Sequence, residues 1–136
     1  MQLQGQINDA WLLTAGYSYL TGDDVDEFGN DTGLRPRELP KNTFSVWNSF
    51  QATSQFGIGI GLTYQDESFA DNGNTVTLPS FTRLDLSAHF DVNEKLRVQL
   101  NIENFTDQLY FPNAHTTNNI TVGESINARL SVTGRF

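Results

Sequence analysis

The residues best equipped for chemistry in this chain of 136 residues are its carboxylates, 16 Asp and Glu against 8 Lys and Arg. The densest run, Asp23-Asp24-Val25-Asp26-Glu27-Phe28-Gly29-Asn30-Asp31, invites a calcium ion. It fails the spacing of an EF-hand loop, because Phe28 stands where an oxygen ligand is required, and it reads instead as a solvated loop. His89 and His115 have the chemistry of acid, base or ligand, but each stands alone, which is the pattern of ordinary polar surface. No cysteine is present, which removes disulfides and thiolate metal sites. Asn30-Asp31-Thr32, Asn104-Phe105-Thr106 and Asn119-Ile120-Thr121 fit the glycosylation pattern, read here as coincidence in an Asn-rich chain. No nucleophile stands beside both a base and an orienting group at a recognisable spacing, so neither an enzyme nor a cofactor is expected. The formal net charge of -8 argues against nucleic acid, whose phosphates need a basic face.

In the elements that carry these side chains the dominant signal is alternation with period two. From Phe56 to Gln65 the even positions are Phe56, Ile58, Ile60, Leu62 and Tyr64, while Gly57, Gly59, Gly61, Thr63 and Gln65 fall between them. Every apolar side chain points one way and every small or polar one the other, which is a strand and not a helix. The same pattern runs through Trp11 to Tyr19, Phe44 to Ala52 (interrupted by Asn48), Leu84 to Phe90, Leu96 to Ile102 and Ile126 to Phe136, after a partial strand from Leu3 to Ile7. About seven strands are predicted and no helix. Short connections near Asn8-Asp9, Ser54-Gln55 and Asn93-Glu94 alternate with long polar ones, roughly Thr21 to Lys41, Asp66 to Leu78 and Thr106 to Gly123. Matching apolar faces across each hairpin predicts three-residue loops at Asn8-Asp9-Ala10, Thr53-Ser54-Gln55 and Val92-Asn93-Glu94. The pairings that follow are Leu3 with Ala15, Ile58 with Phe50, and Phe90 with Leu96. The last sets Asp91 against Lys95, and makes Arg83 and Glu103 a cross-strand ion pair.

Mean hydropathy is −0.39, and no apolar run approaches the roughly 20 residues of a membrane-spanning helix. A membrane barrel escapes that measure, because its lipid-facing and lumen-facing residues alternate and average out. The placement of aromatics favours such a barrel. Trp11, Phe56 and Phe90 lie next to the short turns, with Phe136 ending the chain; Tyr17, Tyr19, Phe44 and Tyr64 lie toward the long loops. Aliphatics such as Leu13, Ile58, Ile60, Leu86, Leu100 and Leu130 fill the belt between. An aliphatic belt between two aromatic girdles suits a surface facing the lipid bilayer, with the long loops outside the cell. A soluble sandwich core has no reason to sort its aromatics to both ends. The opposite, lumen-facing side is mostly Gly, Ser, Thr, Asn, Gln, Arg and Asp. The start, Met1-Gln2-Leu3-Gln4-Gly5-Gln6, is no signal peptide, so the chain is either cytoplasmic or lacks its true N-terminus. About seven strands cannot close a bilayer barrel, and a fragment is expected.

Five stretches resemble TonB-dependent outer-membrane receptors, in that family's order. Trp11-Leu12-Leu13-Thr14-Ala15-Gly16-Tyr17-Ser18-Tyr19 is similar to a strand ending in Tyr-Ser-Tyr. Leu39-Pro40-Lys41-Asn42-Thr43-Phe44 resembles the return strand, and Leu78-Pro79-Ser80-Phe81-Thr82-Arg83-Leu84-Asp85 resembles a Pro-Gly-Tyr-x-x-x-Asp start. Asn101-Ile102-Glu103-Asn104-Phe105-Thr106-Asp107-Gln108-Leu109-Tyr110 looks like the Asn-x-x-Asn-Leu-Phe-Asp-Lys-x-Tyr segment, and Arg129 to Phe136 looks like the last strand. The resemblance implies that residues 1–136 are the C-terminal portion of an all-β, antiparallel up-and-down barrel of roughly 22 strands, without the plug domain and earlier strands. It implies a bacterial outer-membrane receptor for a ferric siderophore, or less often cobalamin or a sugar, driven by the TonB complex through the plug. It also implies that Phe136 is read by the barrel assembly machinery, and it sets His115 in a loop where it can touch a ligand. Asn119 to Ser125 fills the place of a Gly-x-Pro-Arg segment but ends in Glu124-Ser125, so it assigns no ligand. A porin-like or adhesin barrel, a soluble β ligand-binding domain and an outer-membrane enzyme remain the rival classes.

Overall fold

The computed structural model describes residues 1–135, so Phe136 lies outside the described residues. Its strands are β1 (Gln2–Asn8), β2 (Trp11–Tyr19), β3 (Asn42–Gln51), β4 (Phe56–Gln65), β5 (Ser68–Phe69), β6 (Thr77–Leu78), β7 (Phe81–Asn93), β8 (Leu96–Glu103), β9 (Asn113–Thr116), β10 (Asn119–Thr121) and β11 (Asn127–Gly134). Seven of them form one antiparallel sheet in the order β1-β2-β3-β4-β7-β8-β11, so each long strand pairs with the next along the chain. This is the expected meander. The ribbons β5/β6 and β9/β10 stand apart from it, inside the second and third long connections.

The sheet is a single layer whose apolar side is not covered by other described residues. Ile58 and Ile60 are each 46% exposed and Leu130 is 68% exposed. The buried apolar cluster, Ala70, Leu78 and Ala114, lies in the long connections instead. The opposite face is carpeted by its own side chains. Trp47 lies over Gly59 and Gly61, and His89 over Gly57; a Cβ on Gly59 would come within 2.6 Å of the indole. Glycine at alternate positions of β4 therefore makes room for the Trp47 ring, whose Nε1 donates to Ser49 Oγ at 2.9 Å.

On the apolar face, Asn48 is the polar interruption. The Trp11 indole Nε1 donates to its Oδ1 at 3.2 Å, which lowers the cost of leaving an amide among aliphatics.

Two of the three predicted hairpin pairings hold. Leu3 faces Ala15 and Phe50 faces Ile58. In β7–β8 the pairing is displaced by two residues: Phe90 faces Val98 and Asp91 faces Arg97, where Leu96 and Lys95 were expected. A shift of two leaves every side chain on its own face, so matching apolar faces cannot detect it. The β1–β2 and β7–β8 connections are two-residue turns, each with a register shift one step back. The extra residue, Ile7 or Val92, restores the parity that a plain two-residue turn would break. Each turn is capped alike, with Ala10 N donating to Asn8 Oδ1 and Lys95 N to Asn93 Oδ1, both at 2.9 Å.

The predicted ion pair of Arg83 with Glu103 is overturned. Arg83 Nη2 lies 2.9 Å from Asp85 Oδ2, two residues along its own strand. With Leu86 opposite Ile102, one further step along the ladder sets Glu103 across from Asp85 and not from Arg83.

Candidate functional site

The predicted aromatic positions fall on one face, at two levels. Phe56 faces Phe90, and Trp11 lies opposite Phe50 next to the short turns. Tyr17, Phe44 and Tyr64 form one row across β2, β3 and β4 near the long connections, with Tyr19 opposite Asn42. That upper row ends in a hydrogen-bonded chain. Tyr17 Oη donates to Asn42 Oδ1 at 2.7 Å, Asn42 Nδ2 donates to Asp66 Oδ2 at 2.6 Å, and Tyr64 Oη donates to Asp66 Oδ1 at 2.6 Å. The Tyr64 hydroxyl and then the Asn42 amide hold the Asp66 carboxyl below the usual carboxylate range.

Beyond this row the three long connections, residues 20–41, 66–80 and 104–126, pack into one body. Ala70, Leu78 and Ala114 are its buried centre, with Val76, Phe111 and Ile120 packed around them. Within residues 66–80, Asp71 takes the backbone N–H groups of Thr75 and Val76 and the Thr75 hydroxyl. Burial raises its carboxyl, and these donors outweigh that and lower it. Asp26 does the same in residues 20–41, where the Asn30 side chain leads the donors that hold it low. These bonds close the run Asp23 to Asp31 onto itself.

The body is charged. The three connections carry eleven acidic and three basic residues, while the rest of the chain carries five of each, so the whole net charge of -8 lies at this end. Both described ion pairs, Arg83–Asp85 and Arg97–Asp91, lie in the strands. Seven carboxylates of the body, Asp26, Asp66 and Asp71 among them, accept from amide or hydroxyl donors instead.

Where β8 leaves the sheet, Asn104 forms a knot. It is buried, with φ 49°. Its Nδ2 donates to the Gln108 and Glu124 carbonyls, each at 2.9 Å, and its Oδ1 accepts from Gln108 N at 3.0 Å. Its own N–H donates to Asp85 Oδ1 at 2.9 Å, which ties β7 to the same point. Asp107, φ 51°, accepts from Ile126 N at 2.9 Å and fixes the approach to β11. Asn and Asp are the side chains that tolerate this left-handed backbone. Tyr110 completes the knot: its ring packs against Phe81 at 4.7 Å, its hydroxyl accepts from Arg83 Nη1 at 3.3 Å, and Gly123 lies against it with no room for a Cβ. Asn104 and Asp107, three residues apart, are thus the recipe for one turn, buried at Asn104 and Tyr110, that joins β7, β8 and β11.

The family model described as TonB dependent receptor-like, beta-barrel matches residues 1–105. The chain belongs to that family. Within this TonB-dependent receptor family, the chain is 31% identical over 98% of its length to the probable TonB-dependent siderophore receptor PiuA of Acinetobacter baumannii, of which it covers 20%. It is 29% identical over 86% of its length to the ferrioxamine receptor of Yersinia enterocolitica, covering 17% of that protein. The crystal structure of the A. baumannii receptor PiuA superposes with a TM-score of 0.86 at 32% identity, over 98% of this chain and 20% of that one. The chain thus spans about a fifth of the relatives it matches.

His115 sits in β9, where its backbone oxygen accepts from Arg37 Nη1 at 2.8 Å. His89 is on the polar face opposite Gly57, as its parity predicts. Sequence reasoning missed Glu38, which joins all three connections, because nothing in Arg37-Glu38-Leu39-Pro40 signals its backbone conformation. It also missed Trp47, for which the Gly57, Gly59 and Gly61 series was the available signal.

Proposed function

We propose that residues 1–136 are the C-terminal portion of the barrel of a bacterial outer-membrane receptor that takes up ferric siderophores, energised by the TonB complex. The observation that carries this reading is the asymmetry of the sheet in a chain of this family: its apolar face is bare, and its packed polar body is confined to one end. A bare aliphatic belt between two aromatic rows fits lipid, with Trp11, Phe56 and Phe90 at one interface and Tyr17, Tyr19, Phe44 and Tyr64 at the other. The body then faces the outside, where cargo arrives. In a bilayer both edges of the sheet, β1 and β11, must be paired, so the sheet is a stretch of a larger closed wall. Phe136 is the end read by the barrel assembly machinery. TonB acts through a segment outside residues 1–136, and His115, exposed in β9, is the candidate for cargo contact.

The test uses the full-length gene product. Recovery in a urea-resistant outer-membrane fraction, a heat-dependent shift in gel mobility, and TonB-dependent uptake of a ferric siderophore under iron limitation are the expected results. A soluble product with heat-insensitive mobility overturns the membrane assignment. A membrane barrel that transports cobalamin or a sugar instead overturns the cargo alone.

A further inference from the structure

Four described non-glycine residues have positive φ: Glu38 at 56°, Asn74 at 54°, Asn104 at 49° and Asp107 at 51°. Three are Asn or Asp, whose short side chains suit that backbone. Glu38 is the exception, and such a residue persists there only where its surroundings over-determine it. They do. Glu38 N donates to the Phe69 carbonyl at 2.8 Å, in the second connection, and Glu38 Oε1 accepts from Ala114 N at 2.8 Å, in the third.

The residues before it are gripped on the same two sides. Arg35 N donates to Asn74 Oδ1, and Asn74 Nδ2 returns a bond to the Arg35 carbonyl, both at 2.8 Å. The Arg35 guanidinium stands 5.2 Å above the Phe69 ring, and Arg37 Nη1 reaches the His115 carbonyl at 2.8 Å. Residues 35–38 are therefore wedged between the second and third connections, bonded at Phe69 and at Ala114 of the buried centre. The third connection is in turn seated on the polar face of the wall. Tyr110 packs on Phe81 and meets Arg83, and Gln65 Nε2 donates to the Pro112 carbonyl at 3.4 Å. Gln65 pairs with Phe81, and Thr63 with Arg83, so these contacts lie on the side of the sheet opposite the aliphatic belt.

We infer that residues 35–38 are a latch that makes the three connections one lid, and that Glu38 is its release point. While its carboxylate holds the Ala114 N–H, the backbone is kept left-handed. Once that bond is lost, the segment relaxes to negative φ, and its grip on Phe69, Asn74 and His115 goes with it. The lid then opens as a unit instead of loop by loop. That it closes over a barrel lumen rests on the receptor reading; the latch rests on the bonds.

The experiment is hydrogen exchange on the full-length protein, with heat-modifiable gel mobility confirming that each variant forms its barrel. The informative amide is Ala70, whose N–H bonds the Val76 carbonyl and makes no hydrogen bond with Glu38. Glu38→Ala and Glu38→Gly both remove the acceptor, and Glu38→Gly also relieves the backbone. Glu38→Ala is expected to speed exchange at Ala70 at least tenfold and Glu38→Gly distinctly less, because glycine keeps the left-handed backbone without strain, while Glu38→Gln, which keeps a carbonyl acceptor, stays within threefold. Faster exchange confined to Ala114 and residues 36–40 overturns the single lid. Exchange as fast in Glu38→Gly as in Glu38→Ala overturns release by backbone relaxation, and exchange as fast in Glu38→Gln as in Glu38→Ala overturns the role of the acceptor. A measurement on the unaltered protein guards against variants that do not assemble. Under increasing denaturant, Ala70 and Ala114 must lose protection with the same slope, and different slopes refute a common opening. A protein without heat-modifiable mobility would fail the receptor reading instead, which keeps the two failures apart.

Discussion

Replacing Asn104 by Ala should open the knot that joins β7, β8 and β11. The side chain makes three hydrogen bonds, two donated to the Gln108 and Glu124 carbonyls and one accepted from Gln108 N. At about 1 kcal/mol net each, their loss removes about 3 kcal/mol. Placing Ala in left-handed backbone adds about 1–2 kcal/mol. With each 1.4 kcal/mol worth about a factor of ten, local protection should fall by at least about a hundredfold. The assay is hydrogen exchange read at Gln108 and at Ile126, whose N–H is held by Asp107 and so reports whether the loss spreads. Asn104→Gly removes the same bonds without the backbone penalty and should be about tenfold less affected than Asn104→Ala. Protection within threefold of the parent in Asn104→Ala, or a Gly variant more impaired than the Ala one, would refute the reasoning.

Three further outcomes can be measured. Gly61→Ala drives a methyl into the Trp47 ring and should cost about 1–3 kcal/mol, read as a lower temperature for the gel-mobility shift. The change should be relieved by Trp47→Ala and absent in Gly5→Ala, which meets open space. Asn48→Leu should stabilise the protein in lipid by about 1 kcal/mol in urea titration, because among the described residues only the Trp11 indole compensates that amide; destabilisation would place this face away from lipid. Asp66 has a lowered folded pKa, so its contribution is complete above the usual aspartate value of about 3.9 and is lost as pH falls through the lower one. Protection of the Asn42 amide, which donates to Asp66, should therefore hold from pH 7 to about pH 5 and fall below about pH 4; loss already at pH 6 would contradict the assignment.

What the sequence disclosed follows from what alternation encodes. Period two determines which side chains share a face, so the meander, the glycine side of β4 and the aromatic rows were legible. It carries no information about a shift of two residues, which is why the β7–β8 pairing and the Arg83 partner were misread. The ribbons β5/β6 and β9/β10 escaped because two to four residues are too few to show a period. The Asn104 knot was visible as a motif but not as a mechanism, since its bonds reach Asp85 and Glu124, about 20 residues away on either side. Glu38 was invisible for the same reason: its conformation is imposed by Phe69 and Ala114, not by its neighbours.

The confinement of net charge to one end has a consequence for any solute that approaches this surface. The strands and short turns are balanced, so the net charge that sets the long-range field of the chain lies in the three long connections. Among the described residues none of their carboxylates is in an ion pair, and such a field reaches about 10 Å into 0.1 M salt. A solute meets it before it meets any side chain. Anionic solutes climb a potential hill that added salt flattens, and cationic ones descend a slope that added salt removes. The sign of the salt effect on association rate therefore reports the charge of any solute that binds this face, without any contact having been identified.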